Sequence, residues 1–200
     1  MADTDDAVPI RNRLFVLILQ HPHERKAPLA TAATVRALLR RADLVVGLSW
    51  PNLSRLLGRR VDQRRWGVVY LGSARPAKIA RGREIIALDR RGDAVPDQET
   101  ALQGLEGVVL LDGNWQEAKT LWWRNPWLLG LHRLVLNPPG PSRYGRLRRE
   151  PRREALSTLE ATALLMQHLD PQAEAAPILL AALDSMLAEA RPSDQPRVNA

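Results

Sequence analysis

Residues 107–119 read GVVLLDGNWQEAK, an apolar run followed directly by a helix-start pattern. The first five residues carry no polar side chain, which is typical of a strand buried on both faces. Asp112 and Gly113 end the run, and Asn114 with Glu117 three residues later matches a capping box for the next helix. The stretch therefore predicts a buried strand that ends in an acidic residue and passes at once into a helix.

Five further short apolar runs have the same buried-strand character. They are RLFVLIL (13–19), DLVVGLSW (43–50), WGVVYL (66–71), EIIALD (84–89) and HRLVLN (132–137). Helical patterns lie between several of them, the clearest being PLATAATVRALLRR (28–41), which has apolar residues three and four positions apart. Because parallel strands need crossover connections, this alternation predicts an α/β fold with a mostly parallel sheet and helices on both faces.

Length and composition favour one folded domain. The chain has 200 residues, of which 45% are hydrophobic, enough for one continuous core and too few for two comfortable domains. We expect a flexible N-terminus over 1–12, the domain over 13–190 and a flexible C-terminal tail over 191–200. Two helices, predicted at 156–169 and 177–190, complete the domain.

Charge and cysteine content narrow the function classes. The net charge is +7, which favours a polyanionic partner such as nucleic acid, because Lys and Arg release counterions from phosphates. There is no cysteine, so a disulfide framework, a thiolate zinc site and a cysteine nucleophile are excluded. The polar, acidic N-terminus does not resemble a secretory signal, and no apolar stretch approaches a membrane span. We expect a cytoplasmic protein with no membrane partner.

The segment PPGPSRYGRLRREPRRE (138–154) is broken by Pro and Gly and predicts a long basic loop. Guanidinium groups bind phosphate oxygens in a bidentate fork and stack on exposed bases, so arginines beside a tyrosine suit RNA. The alternative is a solvated run of charge. The candidate RNA-binding residues of the loop are Arg143, Tyr144, Arg146, Arg148 and Arg149.

Three polar segments follow predicted strands or begin helices: QHPHERK (20–26), DGNWQEAK (112–119) and LSTLEA (156–161). In open α/β sheets, ligands bind beyond the carboxyl ends of the strands. Asp112 faces a helix start there, where the positive end of the dipole keeps a carboxylate ionised. Trp115 either packs the helix on the sheet or offers a stacking platform for a base.

The other polar residues in these segments have competing interpretations. Ser157 and Glu160 match a capping box. Alternatively, the N–H groups of this helix start and the Ser157 and Thr158 hydroxyls bind the polar end of a small ligand. His21 and Glu24 offer acid–base chemistry, although an exposed loop histidine usually has no catalytic role. No metal site is expected, because His21 and His23 lack companion ligands in the sequence.

Taken together and in order, QHPHERK, LLDGNWQEAK, SRYGRLRREP and LSTLEA resemble the DTW-domain family of tRNA-uridine aminocarboxypropyltransferases. The resemblance extends from about Arg13 to Leu169. It implies transfer of the 3-amino-3-carboxypropyl group of S-adenosylmethionine to N3 of a uridine in tRNA, with release of methylthioadenosine. It also implies a SPOUT-like α/β fold with a knot near the C-terminal strands.

The resemblance also implies roles for individual residues. Asp112 would be the catalytic base that takes or orients the N3 proton, and His21 would join the arginine loop in binding RNA. The cofactor-binding residues would be Trp115, Leu156, Ser157, Thr158 and Glu160. The chain departs from the family's Asp-x-Thr-Trp pattern at Asn114. A noncatalytic RNA-binding protein and an S-adenosylmethionine-dependent RNA methyltransferase are the alternatives.

Overall fold

The fold is built on a six-stranded sheet. The computed structural model describes residues 8–26, 29, 31–72, 82–89, 91–143 and 156–190. The strands are β1 (Phe15–Gln20), β2 (Ala42–Val46), β3 (Trp66–Val69), β4 (Ile85–Leu88), β5 (Gly107–Asp112) and β6 (His132–Leu136). Their order is β2-β1-β5-β3-β6-β4, and every neighbouring pair is parallel except β6 with β4. The α/β class and the mostly parallel sheet are confirmed.

Helices cover both faces of this sheet. The α-helices are α1 (Thr31–Leu38), α2 (Leu53–Leu56), α3 (Gln98–Gln103), α4 (Trp115–Arg124), α5 (Thr158–Leu169) and α6 (Ala175–Ala190). Short 3-10 helices span Pro22–Lys26, Gln63–Arg65, Pro126–Gly130 and Pro171–Ala173. Among the described residues, no helix is both long enough and apolar enough to cross a membrane.

Most of the core falls into two clusters, one on each face of the sheet, because side chains alternate along the strands. Ile86, Leu88 and Val135 form a smaller third cluster. Val16 and Ile18 of β1 pack with α1, α5 and α6 on one face. Leu17 and Leu19 pack on the other face with Leu53 of α2 and the 3-10 segment that follows α4. The helices on both faces are therefore confirmed, and the carboxyl ends of β1, β5 and β3 meet at one edge between the layers.

The N-terminal part of the domain differs from the prediction. Ile10 forms a parallel bridge with Leu39 and accepts a 3.0 Å hydrogen bond from the Arg40 amide. Asn12 is buried and donates to the carbonyl oxygens of Leu14 and Arg41. The described structure thus begins before the predicted boundary at residue 13. Helix α1 ends at Leu38 rather than at residue 41, because the Leu38 carbonyl oxygen and the Arg40 amide bond to Ile10 instead of continuing the helix.

The edge strand β4 is antiparallel, which the spacing of the apolar runs did not predict. Gln98, at the start of α3, both accepts from the Ala87 amide and donates to the Ala87 carbonyl oxygen, at 2.8 Å in each case. Val95 also donates to that carbonyl oxygen. The open edge of β4 is therefore covered by one glutamine side chain and a loop, as edge strands require.

Asp170 joins the end of α5 to the start of β1. Its buried carboxylate accepts from the backbone amides of Arg13 at 2.5 Å and Leu14 at 2.9 Å. The Arg13 guanidinium in turn donates to the carbonyl oxygens of Leu105 and Leu169. These bonds fix α5 along the sheet and so place its N-terminus, Thr158, at the carboxyl edge.

Candidate active site

Asp112 is the last residue of β5 and is 6% exposed. Gln20, the last residue of β1, lies opposite it in the register and donates from Nε2 to Asp112 Oδ2 at 2.8 Å. The hydroxyl of Thr158, at the start of α5, donates to Oδ1. Since each oxygen accepts a hydrogen bond, the carboxylate is held in one orientation.

A pocket of about 200 Å³ opens beside this carboxylate. Its lining is formed by Gln20, Glu24, Arg25, Leu29, Thr31, Ala32, Ala33 and Asp112. Acidic and basic groups therefore share one small cavity with the first turn of α1. The N–H groups of a first turn have no partner within their own helix and attract anionic groups.

The helix start after Asp112 is a capping box, as predicted. Asn114 Oδ1 accepts from the amides of Gln116 at 3.0 Å and Glu117 at 3.1 Å, and the Asn114 amide donates to Glu117 Oε2 at 2.8 Å. A Cβ on Gly113 would stand 2.8 Å from Glu117 Cβ, so glycine allows this close approach. Asn114 thus makes the cap that threonine would make in the family pattern.

His21 is buried, so its interpretation as an exposed loop residue is wrong. Its backbone amide donates to the Asp112 carbonyl oxygen at 2.9 Å, and its Nδ1 lies 3.7 Å from Glu117 Oε1. His23 Nδ1 lies 3.6 Å from the same oxygen. The inference that the two histidines lack a companion ligand is also wrong, because Glu117 of α4 completes a group of three. This burial does not favour a surface contact of His21 with RNA.

The start of α5 also has its predicted capping box. Glu160 accepts from the Ser157 amide at 2.9 Å, and the Glu160 amide donates to Ser157 Oγ at 3.0 Å. The same carboxylate accepts from the Ser142 hydroxyl at 2.8 Å and the Arg143 amide at 2.6 Å. Glu160 therefore anchors the beginning of the arginine-rich loop to α5 with its own oxygens.

Of the five predicted cofactor-binding residues, Thr158 is bonded directly to Asp112. Leu156 is half-buried and lies just before the helix. Ser157 and Glu160 are both buried and use their side chains for the cap. The structure brings this segment to Asp112, and the cofactor-binding roles themselves stay predictions.

Trp115 begins α4 and is 37% exposed. Its ring is nearly parallel to that of Tyr70, at the end of β3, with a centroid distance of 6.3 Å, and Trp122 stacks on Tyr70 at 4.3 Å. Burial raises the pKa of Tyr70, and the Arg133 guanidinium near its ring opposes part of that rise. Trp115 is therefore packed on one side and open to solvent on the other, so both interpretations of it stand.

The arginine-rich loop is described only at its beginning. Arg143 donates from its guanidinium to Asp184 of α6 at 2.5 Å, and both side chains are partly exposed. Tyr144, Arg146, Arg148 and Arg149 lie outside the described residues. Their RNA-binding role stays a prediction from the sequence.

Sequence reasoning missed several features of the site, namely Gln20, the pocket residue Arg25 with the first turn of α1, and the second contact of Glu117. Gln20 is the first residue of QHPHERK and has no role in the sequence prediction. It nevertheless follows an apolar run directly, and a side chain at that position emerges at the carboxyl edge of the sheet. The sequence accounts for Glu117 completely as a member of the capping box of α4. Its second contact, with the two histidines, joins residues about a hundred positions apart, and no local pattern signals it.

Comparison with known proteins agrees with the motifs. No solved structure matches the chain. The chain is 30% identical over 162 residues to tRNA-uridine aminocarboxypropyltransferase 2 of Drosophila melanogaster, an alignment that covers 80% of this chain. The chain spans only 57% of the length of that relative. The DTW domain model matches residues 4–191, nearly the whole sequence, and the chain therefore belongs to the DTW-domain family.

Proposed function

We propose that this protein transfers the 3-amino-3-carboxypropyl group of S-adenosylmethionine to N3 of a uridine in tRNA. The name of the Drosophila relative and the family membership support this activity. The observation that carries the proposal is the buried carboxylate of Asp112, fixed by Gln20 and Thr158 at the mouth of a polar pocket.

The fixed carboxylate suits proton transfer from the base. Uridine N3 carries a proton and becomes a good nucleophile only as that proton leaves. Asp112 accepts or orients this proton. Both of its oxygens already accept one hydrogen bond, but each keeps a lone pair for a further donor.

The co-substrate supplies an electrophilic carbon, because its sulfonium sulfur is positively charged. The N3–carbon bond forms while the carbon–sulfur bond breaks, the sulfur keeps the electron pair, and methylthioadenosine leaves. No covalent intermediate with the protein is needed, so the main task of the site is to hold the two reactants in line.

The residues of the pocket fit the amino-acid arm of the co-substrate. A volume of about 200 Å³ suits this arm rather than the whole molecule. Glu24 offers a carboxylate to the ammonium group, while Arg25 and the first turn of α1 offer donors to the carboxylate. Thr158, Leu156 and the exposed face of Trp115 lie at the same edge and are proposed to contact the adenosine part.

The tRNA is proposed to lie across the arginine-rich loop. Arg143 is proposed to bind a tRNA phosphate in place of Asp184. This requires only that the exposed ion pair between Arg143 and Asp184 open. We also propose a cytoplasmic location and a SPOUT-like knot near the C-terminal strands, both of which rest on the sequence and the resemblance.

The test compares nucleosides of tRNA from cells with and without the gene. Loss of 3-amino-3-carboxypropyl-uridine on deletion, with return on complementation, is the expected result. Purified protein incubated with tRNA and S-adenosylmethionine should release methylthioadenosine. Release of S-adenosylhomocysteine would instead indicate a methyltransferase.

A noncatalytic RNA-binding role is tested by calorimetry with S-adenosylmethionine alone. The substitution of Asn114 for the family's threonine does not favour that role, since Asn114 caps α4 fully. Heat of binding in the absence of tRNA is expected. No heat, together with retained tRNA binding, would count against the proposed enzyme.

A further inference from the structure

Two histidines and one carboxylate converge beside the N-terminal end of α4. His21 Nδ1 and His23 Nδ1 lie 3.7 Å and 3.6 Å from one atom, Glu117 Oε1. The ligand atoms of the three residues all lie within 4.8 Å of one another. We propose that these side chains form a binding site for one divalent metal ion of the Zn²⁺ class.

The distances between the imidazole nitrogens and the carboxylate oxygen fit coordination of one shared ion better than direct hydrogen bonds. Distances of 3.6 Å and 3.7 Å are too long for a hydrogen bond between imidazole and carboxylate. Two ligand atoms on one tetrahedral Zn²⁺ stand about 3.3 Å apart, given bonds of about 2.0–2.1 Å. Rotations of both imidazole side chains would bring the three ligand atoms, now within 4.8 Å of one another, to this separation.

The carboxylate of Glu117 can serve the helix and the ion together. Its Oε2 accepts the Asn114 amide in the capping box at 2.8 Å, whereas Oε1 is the oxygen nearest both histidines. Metal binding therefore leaves the helix cap intact. The carboxylate is also held in place, because Glu117 is packed closely against Gly113.

The Nδ1 atom of His21 is placed as a hydrogen-bond acceptor. It accepts a long hydrogen bond of 3.3 Å from the His23 amide, so its lone pair already serves a donor group. Ligand histidines must be neutral. This weak bond would be replaced by a metal–nitrogen bond.

The ligand types and their exposure indicate which metal and how tightly it binds. Two imidazoles and one carboxylate suit Zn²⁺ rather than Mg²⁺ or Ca²⁺, which prefer oxygen ligands. The His21 and Glu117 side chains are mostly buried but His23 is 82% exposed, so one side of the ion faces water. The positive end of α4 opposes a cation, so we expect a dissociation constant on the order of micromolar, weaker than a closed four-ligand site.

The test measures metal binding by untagged full-length protein in competition with a chromogenic zinc chelator. Wild type should bind one Zn²⁺, and Co²⁺ should give the visible absorption of a low-coordinate site. His23→Ala should weaken binding at least tenfold. Glu117→Gln should do the same while keeping the cap, because glutamine also serves at that position of a capping box.

The matched control is His168→Ala, another exposed histidine, paired with Glu84. It should bind Zn²⁺ like wild type. The proposal would be overturned if His23→Ala bound Zn²⁺ as tightly as wild type. It would also be overturned if wild type bound no Zn²⁺ at a concentration about a hundred times the expected dissociation constant. Circular dichroism of the metal-free variants checks that each is folded. The zinc-binding assay contains no RNA and no S-adenosylmethionine. Its result therefore does not depend on whether the proposed transferase activity is correct.

Discussion

Asp112 receives one hydrogen bond on each carboxylate oxygen, from two elements distant in the sequence. Burying a carboxylate is costly unless its oxygens are bonded, so Gln20 and Thr158 explain how Asp112 is tolerated there. Their bonds also aim the carboxylate toward the pocket.

Asp112→Asn tests the catalytic role. The amide keeps the size of the side chain but cannot accept a proton at the reacting position, so single-turnover transfer to tRNA should fall by about 10²–10⁴-fold. Calorimetric affinity for S-adenosylmethionine should change little. Asp43→Asn, on the partly exposed strand β2, is the control and should react normally. Near-normal transfer by the Asp112 variant would remove this residue from the catalytic role.

Gly107→Ala tests a close contact in the core. A Cβ at Gly107 would lie 2.6–2.8 Å from three atoms of the Trp66 six-membered ring, and Trp66 is fully buried. We expect a loss of about 1–3 kcal/mol in the free energy of unfolding, measured with urea. Trp66→Phe removes those ring atoms, so the double variant should be more stable than the sum of the single effects predicts. Simple additivity would show that the two positions are not in contact.

Strands and helix starts that carry a pattern in neighbouring residues were predicted from the sequence. Features that depend on partners distant in the sequence were not. All six strands coincide with apolar runs, and both capping boxes were read from residues three positions apart. The antiparallel direction of β4 depends on its partner β6 and on Gln98, about ten residues away, which no run of apolar residues reveals. Asp112 and Gln20 both follow an apolar run, but the hydrogen bond that gives Gln20 its role joins residues 92 positions apart and has no local signal.

Asp170→Ala tests the link between α5 and β1. The change leaves two backbone amides, those of Arg13 and Leu14, without their acceptor in a mostly buried place. We expect a loss of about 1–3 kcal/mol in the free energy of unfolding with an unchanged denaturant slope. Asp184→Ala, on the exposed side of α6, should cost less than about 1 kcal/mol. Equal losses in the two variants would contradict the proposed importance of the link.

At the scale of the whole molecule, the proposed binding of tRNA rests on the net charge of +7 and on the arginine-rich loop. Replacing Arg148 and Arg149 together by alanine should weaken tRNA binding and reduce the slope of log affinity against log salt by about 1–2. Filter binding at several salt concentrations measures both quantities. Arg64 and Arg65, at the opposite, amino-terminal end of β3, provide the control pair. The loop has no role in binding RNA if both double variants retain the wild-type slope.

The order of the strands has a consequence for how the protein is made. β3 pairs with β5 and β6, and β4 pairs with β6, so the strand partners of both come later in the chain. While the ribosome synthesises residues 66–106, β3 has no neighbouring strand to pair with. Strand β4 has none until β6, which ends at Leu136, has been synthesised. Such unpaired strands are open to aggregation during synthesis. We therefore expect the yield of folded protein to depend on translation speed and on chaperones that hold the nascent chain.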